Sequence, residues 1–211
     1  MERRFRDRQA SLKRNPATRE PKHRILVVCE GKKTEPYYFK AFQHYVRNPL
    51  VHVEIEPEGG VPKTVVQVAI ELRDVAIRKA RSYQDENLRF DEVWCVFDVD
   101  EHPNIDEACQ CASADSIQVA VSSPCFELWA LLHFQDQTAE IHRHDAQSAI
   151  KCHLPRYEKE LDFGRLIVGY NDAVRRAREL DALAASHKDL RRNPSTGVYR
   201  LTESIRRVGQ R

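Results

Sequence analysis

Apolar positions along this chain follow two rhythms that alternate. Ile25 to Cys29 is a short apolar, largely β-branched run ending at Glu30-Gly31, which predicts a buried strand leading into a tight loop. A helix should follow. Thr34 can cap it, Pro36 is tolerated in its first turn, and Tyr38, Phe39, Phe42, Tyr45 and Val46 share one face. Val51 to Glu56 alternates as a half-exposed strand does, and Gly59, Gly60 and Pro62 punctuate the next loop. A second helix carries Val65, Val68, Leu72, Val75 and Ala76 as its apolar stripe, with Arg73, Arg78 and Arg81 outside. Glu92 to Phe97 reads as a third strand, about Ile105 to Cys111 as a short helix, and Ile117 to Val121 as a fourth strand.

Strands that alternate with helices imply a mainly parallel sheet of about four strands, flanked by helices on both faces. From Pro124 onward the pattern turns helical, near 124–135, 145–152, 165–187 and 197–208, with no clear further strand. The expected division is a basic arm at 1–24, an α/β core at 25–135 and a helical extension at 136–211 packed on that core.

Charge changes this picture at the start of the chain. The formal net charge is only +2, yet Arg3, Arg4, Arg6, Arg8, Lys13, Arg14, Arg19, Lys22 and Arg24 crowd the first segment. Such a block reads as a mobile solvated arm, with contact to nucleic-acid phosphate as its functional alternative. No stretch is apolar enough to span a bilayer and no secretory signal follows the arginines, so the chain is expected in the cytoplasm. Its six cysteines include no C-x-x-C and read as reduced core thiols.

In an open parallel sheet ligands sit beyond the carboxyl ends of the strands, and here those ends are acidic. Glu30 follows the first strand, and Asp98 and Asp100 follow the third. Carboxylates crowded at a buried strand end repel one another, and a hard cation such as Mg²⁺ or Mn²⁺ removes that penalty. The bland alternative is that they cap the helices that follow. Glu127 opens a later helix, where the macrodipole alone favours a carboxylate; its functional reading is a further metal ligand or a base that positions water. His133, at i+4 from Trp129 with Phe126 nearby, is either a core histidine or a group that orients phosphate. Lys32 and Lys33 follow the Glu30-Gly31 turn, either as phosphate-steering groups or as solvated loop residues.

Taken together, Val-Cys-Glu30-Gly31, Thr34-Glu35-Pro36-x-Tyr38-Phe39, Phe-Asp98-x-Asp100-Glu101 and Ser-Pro124-Cys-Phe126-Glu127-Leu-Trp129 through His133-Phe134 resemble the RloB-like proteins. The resemblance runs from about Ile25 to the end, including Leu154-Pro-x-Tyr157-x-Lys159 and Asn193-Pro194-Ser195-Thr196. It implies a prokaryotic protein similar to abortive-infection and retron-associated defence factors, with a Toprim-like core. That core implies metal-dependent phosphoryl transfer, with Glu30 matching the family glutamate, Asp98 and Asp100 the D-x-D pair, and Lys159 a phosphate contact. The chain departs from relatives that carry a basic residue between the two aspartates, because Val99 stands there.

The expected activity is therefore a Mg²⁺- or Mn²⁺-dependent nuclease acting on DNA or RNA, tRNA included, with nucleotide transfer as a further option. The alternative is a non-catalytic or partner-dependent regulatory subunit of a defence system. With seven glycines and no G-x-x-x-x-G-K-[ST], the chain offers no ATPase loop, so any ATPase is expected to be a separate partner.

Overall fold

The computed structural model describes residues 22–58, 60–99, 104–158, 160–187, 189 and 192–207. In chain order the elements are β1 (His23–Cys29), α1 (Thr34–Val46), β2 (Val51–Pro57), α2 (Pro62–Tyr83), β3 (Glu92–Asp98), α3 (Ile105–Ala114), β4 (Gln118–Ser123), α4 (Phe126–Leu132), α5 (Arg143–His153), α6 (Phe163–Leu166), α7 (Tyr170–Ser186), β5 (Ser195–Thr196) and α8 (Val198–Arg207). The sheet order is β2-β1-β3-β4-β5. The first four strands pair in parallel and β5 joins β4 antiparallel, so the α/β reading and its four predicted strands hold.

Residues 25–29 and 93–97 run apolar without a break because both sheet faces are covered. Ile25, Val27, Cys29, Trp94 and Val96 turn toward α1, α4, α7 and α8, whereas Leu26, Val28, Val93, Cys95 and Phe97 turn toward α2 and α3. The larger of these two cores takes Ile150 from α5, Leu166 from α6, Ala173 and Ala177 from α7 and Leu201 from α8. The helical tail thus supplies much of one face of the sheet.

Four local expectations are corrected. The stretch after Pro124 does contain a strand: Ser195 and Thr196 form β5, which at two residues is too short to produce a period-2 signal. Lys33, not Thr34, occupies the N-cap of α1, without a side-chain cap. Tyr45 is 60% exposed, with Phe163 rather than the sheet beside it. Cys152 is exposed on α5. Residues 1–21 of the basic arm, with their arginines, lie outside the described residues. Arg24 belongs to β1, where its guanidinium lies 4.5 Å over the Phe90 ring and bonds Glu54 at 3.1 Å. No described helix is long and apolar enough to cross a membrane.

At the amino end of the sheet a single carboxylate ties strands to tail. Glu92, first residue of β3, accepts hydrogen bonds from His23 Nε2 at 2.9 Å, Trp94 Nε1 at 2.8 Å and Ser204 Oγ of α8 at 2.7 and 2.8 Å. Burial works against its ionisation, but the bonds from Trp94, Ser204 and His23 outweigh it and hold Glu92 below the ordinary glutamate range. Its contribution to stability is therefore complete above the ordinary range and lost as pH falls through the lowered value. Glu92→Gln should cost about 1.5–3 kcal/mol in urea denaturation at neutral pH, and the gap from wild type should narrow on acidification. A gap that is constant with pH would show that the charge is not what binds the knot.

Candidate functional site

Parallel strands buried on both faces leave charged side chains little room except at their ends, and the carboxyl ends of β1, β3 and β4 converge on one edge. Backbone bonds fix that convergence: Glu30 N–H donates to Val96 O at 2.9 Å and Val99 N–H to Ser122 O at 2.8 Å. Glu30, directly after β1, accepts at Oε2 from the Asp98 amide at 3.1 Å. Asp98 closes β3 and also accepts from the Phe126 amide, where α4 begins. Its Oδ1 is buried and has no hydrogen-bond partner among the described residues.

Four carboxylates act on one another here. Burial, followed by the charges of Glu35, Glu127 and Glu30, pushes the Asp98 carboxyl well above the ordinary aspartate range. Glu35 is also buried and raised, by desolvation first, with Glu127 and Glu30 adding to it against hydrogen bonds from its own amide and that of Gly31. Cys125, beside Glu127, is held as a thiol by burial and by the charges of Glu127 and Asp98.

Glu35 is the member that the sequence reading passed over, since a glutamate in a first helical turn looks like a dipole partner. Gly31 was the available signal. A Cβ at Gly31 would lie 2.0 Å from Glu35 Oε2, so only glycine lets the α1 carboxylate fold back over the loop. The second unforeseen group is Tyr157, whose hydroxyl donates to Glu127 Oε1 at 2.6 Å, with Gln147 Nε2 of α5 on the same oxygen at 3.3 Å. The tail therefore reaches back to hold a side chain of the core's edge.

Among the predicted residues, Glu30, Asp98 and Glu127 are brought together; Lys32 and Lys33 stand exposed on the loop beside them. Asp100 and Lys159 lie outside the described residues. His133 is not at this edge. It is 5% exposed, its Nδ1 donates to Trp129 O at 2.8 Å, and it packs on Trp129 and Tyr38. Burial lowers it to about 4, so it is a neutral core histidine at physiological pH.

An all-oxygen donor set with one unpartnered buried oxygen suits a hard divalent cation and disfavours zinc. Among the described residues, no group of three or more His, Cys, Asp or Glu side chains is already spaced to hold a metal ion. The carboxylates are gathered at the edge but not closed on a single point.

The raised carboxyls give a pH signature. Asp98 and Glu35 bind protons more tightly folded than unfolded, so stability falls as pH rises above the ordinary carboxylate range. In chelator, stability should decline as pH rises above the ordinary carboxylate range in urea titrations, and Asp98→Asn should flatten the decline. An Asp98→Asn slope equal to that of wild type would rule out the crowding of charge.

Neither a curated protein nor a solved structure matches this chain. A match to the RloB-like protein family covers residues 25–205, from the third residue of β1 through most of α8 and so across every element of the acidic edge. On that span the chain belongs to the RloB-like protein family.

Proposed function

We propose that the acidic edge is the catalytic centre of a metal-dependent phosphoryl-transfer enzyme of Toprim type, a nuclease that cuts DNA or RNA in the defence setting the family resemblance implies. The observation that carries this reading is Asp98: a carboxylate with one oxygen unpartnered among the described residues, raised first by burial and then by three neighbouring carboxylates. A protein gains no stability from that arrangement unless a cation or a proton enters it.

Glu30, Asp98 and Glu127, joined by Asp100, would hold Mg²⁺ or Mn²⁺, with Glu35 behind them. The bound cation supplies charge to phosphate oxygens and acidifies a bound water. The remaining tasks fall to the chain itself. The hydrogen bond from Tyr157 and that from Gln147 set the rotamer of Glu127, so its carboxylate is aimed before substrate arrives. Glu30 accepts the Asp98 amide, which fixes the end of β3 relative to β1. Lys32 and Lys33, exposed on the adjoining loop, draw phosphate toward the edge.

Labelled single-stranded, duplex and tRNA substrates incubated with Mg²⁺ or Mn²⁺ test the reading. Cleavage by wild type should fall by about 100-fold or more in Asp98→Ala and in Glu127→Gln, and chelator should abolish it while both variants keep the wild-type fold by circular dichroism. Absence of products with every substrate, or products that persist in both variants, would transfer the chain to a regulatory role within its system.

A further inference from the structure

The turn between α5 and α6 lines a half-open cavity of about 350 Å³, whose wall includes Tyr157 and whose lining includes Arg156 and Arg165. Tyr157 is the residue that donates to Glu127, so the cavity lies one side chain away from the acidic edge. Arg156 and Arg165 are both exposed and enter no ion pair among the described residues. Arginines of α7 and α8 behave differently. Arg175 bonds Glu179 at 3.0 Å, and Arg178, Arg206 and Arg207 all converge on Glu203.

Two acids share the lining. Asp162 Oδ1 accepts from the Arg165 amide at 3.3 Å and caps α6, and Glu160 is exposed at the same rim. The rim is therefore near neutral at long range, yet it offers two guanidinium forks at short range, and such forks match phosphate oxygens in pairs. The volume sits at the lower end of ligand sites and suits a sugar-phosphate unit rather than a folded element. The apolar part of the lining, Leu154 and Pro155 beside the Tyr157 ring, suits a sugar or base face.

We infer that this cavity is a subsite for the phosphodiester backbone of a nucleic-acid strand, bound by Arg156 and Arg165 next to the acidic edge. The inference rests on the proposed phosphoryl-transfer reading, because it places the flanking strand of that substrate. Tyr157 serves both sites: its hydroxyl holds Glu127 and its ring walls the subsite.

Binding in chelator separates the two claims. The full-length chain is titrated with fluorescent single-stranded DNA and RNA oligonucleotides of several sequences between about 50 and 200 mM salt. Arg156→Ala/Arg165→Ala should raise Kd by about tenfold on every sequence and reduce the salt slope by about 1.4, the value for two lost single-strand contacts. Arg156→Lys/Arg165→Lys should keep the slope, and both pairs should melt with wild type because the side chains are exposed. An unchanged slope in the alanine pair overturns the subsite, as does wild type that binds no oligonucleotide. Displacement of the oligonucleotide by an equal concentration of a mononucleotide also overturns it, by assigning the cavity to a free nucleotide. Wild type that cleaves while the alanine pair binds normally overturns the subsite alone. Wild type that binds through these arginines and cuts nothing overturns the nuclease reading alone.

Discussion

A parallel sheet covered on both faces cannot place charge in its middle, because an ionised carboxylate without water or a partner is strongly disfavoured there. Everything polar that this protein needs must be exported to the strand ends. Two carboxylate assemblies result, one at each end, and they solve the problem in opposite ways. At the amino end Glu92 is surrounded by donors from β1, β3 and α8 and is held ionised. At the carboxyl end Asp98 is surrounded by other acids and is pushed toward its neutral form. The first assembly is stable as built. The second stays unfavourable until something positive joins it.

The tail couples these two ends. Ser204 of α8 reaches Glu92, while Tyr157 and Gln147 reach Glu127. The larger core draws residues from α5 to α8 as well as from β1 and β3, so the same apolar surface that anchors the tail also aims its polar contacts. Removing that tail would uncover much of one sheet face and release the hold on Glu127 together.

Legibility in the sequence followed the strength of the local signal. β1 and β3 could be read because two-sided burial writes an unbroken apolar run, and Glu30 and Asp98 could be read because they follow those runs directly. Glu35 was illegible as a site member: its burial depends on a glycine four residues earlier, and its role in a first helical turn has an ordinary explanation. His133 shows the converse, since a histidine one turn after a tryptophan proved to be part of the aromatic packing around Tyr38. Tyr157 lies 30 residues from the glutamate it holds, and no periodicity within a window reports a contact across that distance. β5 was missed because two residues carry no alternation to detect.

The short strand β5 also sets a timetable. Thr196, 74 positions after Ser122 in the chain, meets it with their hydroxyls 2.9 Å apart. At ribosomal speeds of about 5–20 residues per second, roughly 4–15 s separate the synthesis of β4 from that of its outer neighbour. Through that interval the nascent sheet ends in an open parallel strand, the kind of edge that recruits other chains or chaperones. The acidic edge is unfinished for part of the same period, with Glu127 synthesised before the tyrosine that aims it. A newly made chain therefore passes through a stage in which it is at once more adhesive and less ordered at its acidic edge than the finished protein.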